Sequence, residues 1–187
     1  MKLVVGLGNP GPEYAGTRHN LGFVVLAELA TKTGIRLCEK RFKGLFGKGR
    51  WASEAVALLE PMTFMNLSGR SVNAARCELD VMPRDVVVIY DDVDFPLGTV
   101  RVAERGSDGG HKGVRSILDE METDEFARVR VGIGRPAPRG DVVEWVLGRF
   151  EEHELMARDQ AVERAVEAVE TIVRRGTTAA MNQFNRR

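Results

Sequence analysis

Short apolar runs alternate along the chain with segments in which apolar residues recur every three or four positions, and this alternation constrains the fold most strongly. Residues 2–7 and 86–90 are largely apolar and have the length of buried strands, and residues 129–133 predict a further strand. Residues 21–29 and 114–121 have helical spacing. Strands that alternate with helices predict an α/β domain, with helices packed on the faces of a mixed sheet.

The remaining expected elements fit the same layered arrangement. Asn20 occupies the position of an N-cap for the first helix. Proline at position 61 ends a predicted pair of short strands, after which a helix begins. These further predictions are strands at residues 45–51, 55–59 and 99–103, and helices at residues 65–79 and from residue 155 to near Gly176.

Length and composition predict an ordinary globular protein. A chain of 187 residues has the length of one domain, and we expect a single domain over residues 1–187. Hydrophobic residues make up 43% and charged residues 29%, which disfavours a disordered chain. Since no apolar run reaches the roughly 18 residues that cross a bilayer, we expect no membrane association. Cys38 and Cys77 form no disulfide framework, so we expect a reducing, cytoplasmic location.

The charges balance over the whole chain but not along it. Lys plus Arg and Asp plus Glu each number 27, so the net charge gives no general attraction to nucleic acid. Residues 35–50 contain six cations and one acid, and residues 128–139 contain four arginines and no acid. The pattern is compatible with a local basic face on a neutral protein.

A glycine pattern near the amino terminus imitates a dinucleotide-binding motif. Residues 6–11 fit G-x-G-x-x-G after a strand. However, Pro10 and Pro12 delay any helix to about residue 20, so its amide groups would not meet a pyrophosphate. The acidic residue expected about 20 positions further on would be Glu28, which lies within the predicted first helix. The pattern therefore does not indicate nucleotide binding.

Polar residues follow the predicted strands, at the end where open α/β sheets build their sites. Asn9 and His19 follow the first strand, although asparagine is a common turn former and a single histidine at this place is more often only a helix-start residue. Asp91, Asp92 and Asp94 follow the buried strand at residues 86–90. They fit three interpretations: surface turn acids, a magnesium pair made by Asp92 and Asp94, or one aspartate that orients an imidazole base.

Two further segments each have a structural and a functional interpretation. Asn66, near the start of a predicted helix, is either a capping residue or an amide that binds substrate. The glycine-rich residues 106–113 contain Lys112 and directly precede a helix. They form either a flexible hinge or a site for a phosphate or another oxyanion, which helix amides and an ammonium group bind well.

Together these segments strongly resemble bacterial peptidyl-tRNA hydrolases. The matching blocks keep the order and spacing of that family over residues 1 to about 150. They read GLGNPGPEYAGTRHNLGF at residues 6–23, TFMNLSG at 63–69, DDVDFPLG at 91–98, GGHKGVRS at 109–116 and VRVGIGRP at 129–136.

The resemblance implies an activity and a fold. The family cleaves the ester between a peptide, or an N-acylated amino acid, and the ribose of tRNA, which frees the tRNA for reuse. Its fold is a single three-layer α/β domain with a mixed, twisted sheet between helices. A cytoplasmic monomer that binds the acceptor end of peptidyl-tRNA, without cofactor or metal ion, is the corresponding expectation.

The resemblance also assigns roles to residues. It implies that His19 is the general base that activates water and that Asp91 orients its ring. The implied substrate-binding residues are Asn9, Tyr14, Phe64, Asn66 and Lys112, and the implied tRNA-binding residues are Arg101 and Arg130.

Two positions depart from the family pattern. Lys112 stands where most members have asparagine, and an ammonium group donates hydrogen bonds but accepts none. We expect Lys112 to support oxyanion or phosphate binding instead. Ala103 stands where another family cation often lies.

The sequence leaves two alternative functions open. The chain could be a noncatalytic RNA-binding protein of the same fold, an interpretation that Lys112 keeps open. A metal-dependent phosphoryl hydrolase built on Asp92 and Asp94 is the other.

Overall fold

The computed structural model describes residues 1–186 and contains one seven-stranded mixed sheet. The strand order is β2-β3-β4-β1-β5-β7-β6. Strands β4, β1, β5 and β7 are parallel, whereas β2, β3 and β6 pair antiparallel at the two edges. The strands are β1 (Lys2–Gly6), β2 (Glu39–Arg41), β3 (Gly44–Trp51), β4 (Glu54–Pro61), β5 (Val86–Asp92), β6 (Val100–Ala103) and β7 (Ala127–Gly132).

Helices cover both faces of this sheet. They are α1 (Leu21–Thr33), α2 (Ser68–Glu78), α3 (Lys112–Met121), α4 (Val142–Leu147), α5 (Leu155–Arg175) and α6 (Thr177–Phe184). Helices α1, α5 and α6 share one apolar core with the sheet, and α2 and α3 share a second core with its other face. Neighbouring residues of one strand enter different cores, as Val4 and Val5 do. The predicted α/β class with a mixed sheet between helices is confirmed.

The central strands show why the apolar runs were informative. All seven residues of β5 are buried, and β1 lies between β4 and β5 in parallel register. Strands buried on both faces lack the alternation of half-exposed strands, so they appear in the sequence as continuous apolar runs. The topology brings the carboxyl ends of β1, β4, β5 and β7 to the same edge of the sheet.

Three elements had no predicted counterpart. Strand β2 consists of three exposed charged residues and so has no apolar period. Helix α4 is apolar but has only six residues, fewer than two turns, which is too short for its apolar spacing to predict a helix. Helix α6 follows Gly176, where α5 ends as expected. Within residues 1–186, no helix has the length and hydropathy needed to span a membrane.

The predicted N-cap role of Asn20 is wrong in one respect. Asn20 does precede α1, but its side chain makes no bond to the helix amides. Its Oδ1 accepts the Asn9 backbone N–H at 2.9 Å, and its Nδ2 donates to the Asn9 carbonyl at 2.9 Å. The side chain therefore pairs with the loop that follows β1.

Candidate active site

The glycines of the first motif allow a close approach between β1 and α1. A Cβ atom on Gly6 would lie 2.3 Å from the Gly22 carbonyl oxygen in the first turn of α1, and one on Gly22 would lie 2.5 Å from the Leu7 backbone nitrogen. Only glycine permits this contact without displacement of the backbone. The tight crossing places the turn of residues 18–20, which contains His19, beside the carboxyl end of the sheet. The motif thus has a packing function.

A cavity of about 530 Å³ opens at this edge of the sheet. Its walls come from the loops after β1, β4 and β5, the glycine-rich loop before α3, and one side of α4. Seven of the predicted site residues line it: Asn9, Tyr14, His19, Phe64, Asn66, Asp91 and Lys112. Arg101 and Arg130 do not.

The centre of the cavity wall is a pair formed by His19 and Asp91. The Nδ1 atom of His19 lies 3.0 Å from both carboxylate oxygens of Asp91, near the carboxyl end of β5. The Asp91 side chain is 1% exposed. Because the ionised carboxylate only accepts hydrogen bonds, Nδ1 carries the proton and Nε2 carries the lone pair. An imidazole held in this tautomer is suited to act as a general base.

Asp91 is held in its ionised form. Burial by itself would raise the pKa of the carboxyl group, but its electrostatic interactions with His19 and His111 and the hydrogen bonds from both rings outweigh burial, and the pKa lies below its ordinary value. The neighbouring phenol behaves in the opposite way, since burial raises the pKa of Tyr90 to about 12. Asp91 therefore carries a negative charge, and Tyr90 stays neutral, at physiological pH.

His111 completes the group, and the sequence assigned it no role. Its Nε2 lies 3.0 Å from Asp91 Oδ1, while its Nδ1 accepts the backbone N–H groups of Gly113 and Val114 as the N-cap of α3. An Nδ1 atom that accepts cannot carry a proton, so Nε2 must donate to Asp91. Both ring nitrogens are occupied, so His111 positions Asp91. Its place directly before a predicted helix was a detectable signal for capping, but not for its contact with Asp91.

The same three side chains have the spacing of a metal site but not its chemistry. Ligand atoms of His19, Asp91 and His111 lie within 4.8 Å of one another, and they are the only such group that residues 1–186 contain. A metal ligand must offer a lone pair. A metal on His111 Nε2 would move the ring proton to Nδ1, where it would meet two N–H donors. The group fits a hydrogen-bonded chain better than a metal ion.

The carboxylates of Asp92 and Asp94, which the sequence offered as magnesium ligands, are paired with arginines. Asp92 Oδ2 lies 2.6 Å from Arg130 Nε, and its Oδ1 accepts the Asp94 backbone N–H at 2.8 Å. The Asp94 carboxylate pairs with Arg135. Two carboxylates that each neutralise an arginine offer little charge to a magnesium ion, so this geometry does not favour the phosphoryl hydrolase interpretation.

Asn9 is held so that its amide group has a defined direction. Its Oδ1 accepts the Met65 backbone N–H at 2.7 Å, and the side chain of Asn20 holds its backbone. Because Oδ1 is engaged, Nδ2 is the free end of the amide, and it has no acceptor within the described part of the chain. Asn9, on the cavity wall, therefore offers a hydrogen-bond donor.

The outer part of the cavity is apolar. Phe64 is 56% exposed, and α4 contributes the side chains of Val142, Val143, Val146 and Leu147. Asn66 is exposed and makes no capping bond to α2, so the structure gives it no capping role. Exposed aromatic and aliphatic side chains beside polar groups are typical of a ligand-binding cleft.

Comparison with known proteins identifies the family. Residues 3–187 match the family model described as Peptidyl-tRNA hydrolase. The chain belongs to the peptidyl-tRNA hydrolase family. The predicted family resemblance is confirmed.

The relatives of this hydrolase cover its whole length. A peptidyl-tRNA hydrolase of Symbiobacterium thermophilum is 50% identical over 186 residues, which are 98% of each chain. One of a Geobacter species (strain M21) is 49% identical over 100% of this chain and 98% of its own. The crystal structure of peptidyl-tRNA hydrolase from Acinetobacter baumannii superposes with a TM-score of 0.93 at 39% identity, over 99% of this chain and 94% of that chain.

Of the two residues that depart from the hydrolase family pattern, Lys112 lines the main cavity and Ala103 does not. Lys112 is the first residue of α3, it is exposed, and it forms no ion pair with any residue from 1 to 186. A positive charge at a helix amino terminus is disfavoured by the helix dipole. An unpaired lysine in this position has no evident stabilising function, which leaves it available for an anionic ligand.

The two arginines predicted to bind tRNA lie outside the cavity. Arg101 Nη1 donates to the Phe184 carbonyl at 2.9 Å, and Arg130, 28% exposed, pairs with Asp92. Arg130 borders a smaller hollow of about 170 Å³, together with Arg105 and Arg128. The hollow adjoins the main cavity, because Tyr90, Asp92, Asp108 and Gly109 line both. Both arginines retain further N–H donors.

Proposed function

We propose that this protein hydrolyses the ester bond between a peptide, or an N-acylated amino acid, and tRNA, with His19 as the general base. The observation that carries the proposal is the contact of His19 Nδ1 with both oxygens of the ionised Asp91, on the wall of a cavity large enough for the end of the substrate. Membership of the peptidyl-tRNA hydrolase family supports the choice of substrate.

The residues suggest the following steps. His19 Nε2 removes a proton from a water molecule, whose oxygen adds to the ester carbonyl carbon, and Asp91 stabilises the imidazolium that forms. The tetrahedral intermediate then expels the ribose oxygen, which receives the proton from His19. The products are a free carboxyl group on the peptide and a free hydroxyl group on the tRNA, so no covalent enzyme intermediate is required.

Amide and ammonium donors would stabilise the negative oxygen of the intermediate. Asn9 Nδ2 is already directed by the bond from Met65, and Asn66 and Lys112 also line the cavity. One well-placed donor of this type contributes about 3 kcal/mol to transition-state stabilisation. Lys112 supplies a donor with a full positive charge, which would bind either this oxyanion or a nearby phosphate.

The apolar side of the cavity would receive the peptide. Tyr14 and Phe64 line the cavity with the aliphatic side chains of α4. A peptide carboxyl end bound there would place its ester beside His19. The aromatic rings would contribute contact area without a requirement for one peptide sequence.

We infer that Arg101 and Arg130 contact phosphates of the tRNA acceptor end. Such contacts give no base specificity but orient the nucleic acid. Binding should weaken as salt is added, because each neutralised phosphate releases counterions. The net charge of zero makes local cations more important for this attraction.

The proposed reaction has few requirements beyond the protein itself. It needs no cofactor and no metal ion, and we propose that the protein acts as a cytoplasmic monomer with one domain over residues 1–187. Sedimentation at several protein concentrations would test the monomer, since a stable dimer would show twice the monomer mass and a weak dimer a mass that rises with concentration.

The test compares two esters of the same tRNA, one with an N-acetylated amino acid and one with a free amino group. We expect the purified protein to cleave the acetylated ester with and without a chelator, and to spare the unblocked ester. A preparation with His19→Ala, made in parallel, excludes a contaminating hydrolase. Binding of the tRNA without cleavage would instead support the noncatalytic alternative, and loss of activity with chelator would support a metal enzyme.

A further inference from the structure

Arg18 precedes the proposed base, and its charge is buried. Its side chain is 4% exposed, its Nη2 lies 2.7 Å from Glu154 Oε2, and its Nε is buried with no hydrogen-bond partner among the described residues. The guanidinium carbon lies 3.8 Å from the centroid of the Trp145 ring. Burial of a charge is unfavourable unless its partners compensate for it. The position of the Arg18 guanidinium therefore depends on the groups that surround it.

Most of these partners belong to α4 or directly follow it. The Arg18 backbone N–H donates to the Gly148 carbonyl at 2.9 Å, and Thr17 forms a backbone bridge with Arg149. Glu154 also accepts the Glu151 backbone N–H at 2.7 Å, which fixes the carboxylate that Arg18 contacts. Arg18 thus joins the turn of residues 18–20, which contains His19, to α4 through Trp145 and to the segment after α4 through Glu154.

Helix α4 has few other attachments. It has six residues, none of them buried, and helices of this length are not stable alone. Trp145 provides most of these attachments: its Nε1 donates to the Gly134 carbonyl at 2.9 Å, its carbonyl accepts from Arg18 Nη1 at 3.5 Å, and its ring covers the Arg18 guanidinium. Trp145 and Val146 also pack against the core that α1 and α5 share. The position of α4 therefore depends on how Trp145 is held.

The side of α4 that faces the cavity bears different residues from the side that faces Arg18. Val142, Val143, Val146 and Leu147 line the cavity. A shift of α4 away from Arg18 would move this apolar wall relative to His19, which is the next residue after Arg18.

We propose that Arg18 is a positioning residue that holds α4 against the His19 turn and so determines how strongly the peptide part of the substrate binds. The proposal rests on the proposed function for its substrate. A planar guanidinium can stack on an indole while it pairs with a carboxylate, and the ammonium group of a lysine does this poorly. The Arg18→Lys variant keeps the charge and loses this stacking.

The first test uses no substrate. The chain has two tryptophans, so Trp51→Phe leaves Trp145 as the only one, and its fluorescence reports on α4. We expect Arg18→Lys in this background to increase the quenching of Trp145 by acrylamide. The exposed Arg149, changed by Arg149→Lys, is the matched control and should leave quenching unchanged. Equal quenching in the Arg18→Lys protein and its parent would overturn the proposal.

The second test separates binding from chemistry. Two tRNA esters are compared, one with an acetylated amino acid and one with a peptide of several apolar residues. Loss of a desolvated cation–π contact predicts a KM for the longer ester about tenfold higher in Arg18→Lys, with a smaller rise for the acetylated ester. The pH profile of kcat should keep its shape, because the pair of His19 and Asp91 remains. An equal rise of KM for both esters would contradict the proposal.

Variants at Trp145 test the contact between Arg18 and α4 independently if Arg18→Lys does not fold. Trp145→Leu should raise KM for the longer ester as Arg18→Lys does. Trp145→Phe keeps a ring over the guanidinium, so its KM should lie closer to that of the wild type than the KM of Trp145→Leu. Failure of Trp145→Leu to change KM would refute the proposal. If the unmodified protein cleaves neither ester, the proposed function fails, while the quenching result still decides whether Arg18 holds α4.

Discussion

Replacement of Asp91 by asparagine tests the tautomer of His19, because it keeps the shape of the side chain and removes its charge. One carboxylate oxygen becomes an NH2 group, and His111 determines which one. His111 Nδ1 accepts two helix amides, so its Nε2 must donate, and the asparagine oxygen must stay where Oδ1 was. The NH2 group then takes the position of Oδ2, 3.0 Å from His19 Nδ1.

This orientation moves the proton of His19 to the wrong nitrogen. Nδ1 also lies 3.0 Å from the retained oxygen, but a proton on Nδ1 would meet the NH2 group as well. The variant therefore favours the tautomer in which Nδ1 accepts and Nε2 carries the proton, and a ring in that tautomer accepts no proton from water. The same tautomer error in a Ser-His-Asp protease lowers kcat by about 10⁴, or roughly 5.5 kcal/mol. We expect Asp91→Asn to lower kcat by about 10³ to 10⁴ in the same way, with little change in KM.

Single-turnover cleavage of N-acetylated aminoacyl-tRNA measures this loss without interference from product release. Asp119, an exposed aspartate of α3, provides the control, and Asp119→Asn should keep wild-type rates. A kcat of Asp91→Asn within about tenfold of wild type would refute the reasoning, because a base in the wrong tautomer loses far more than that.

Four further predictions follow from the site. His111→Ala should reduce kcat and lower the free energy of unfolding in urea by about 1 kcal/mol through loss of the N-cap, while His153→Ala, at an exposed histidine, should change neither. Lys112→Asn should raise KM at low salt and flatten its salt dependence, and unchanged activity at every salt concentration would count against an anion-binding role. Arg130→Ala should weaken tRNA binding and reduce the slope of log K against log salt by about one; wild-type affinity and slope would reject the phosphate contact. Because the pKa of Asp91 is lowered in the folded chain, its carboxylate stabilises the fold above the ordinary carboxyl pKa, and this stabilisation is lost as pH falls toward the lowered value. Urea unfolding from neutral to strongly acidic pH should therefore show a stability difference between wild type and Asp91→Asn that narrows in acid, and a constant difference would contradict the lowered pKa.

The sequence predicted those parts of the fold that depend on burial. Strand β5 is recognisable as a continuous apolar run because it is buried on both faces, and helix α5 is recognisable because its buried positions repeat with the period of a helix. Helix α4 has only six residues, and it is held by a stacked arginine and an indole N–H group, contacts that the sequence spacing does not show. Short elements attached by side chains are therefore missed even when they line the site.

The site itself was only partly accessible from residue patterns. Strand ends indicated where polar residues would gather, but His19 and Asp91 are 72 positions apart, and their pairing came from the family resemblance. His111 was overlooked because its capping bonds are local while its bond to Asp91 joins different elements. The predicted roles of Arg101 and Arg130 stay predictions, since both side chains also have partners within the chain.

The most direct test of the central claim is the rate of cleavage of N-acetylated aminoacyl-tRNA by His19→Ala, with and without added imidazole. Loss of the base should lower kcat by about 10² to 10⁴, and free imidazole in the vacated space should restore part of the rate. Retention of the wild-type kcat by His19→Ala would show that another group activates the water.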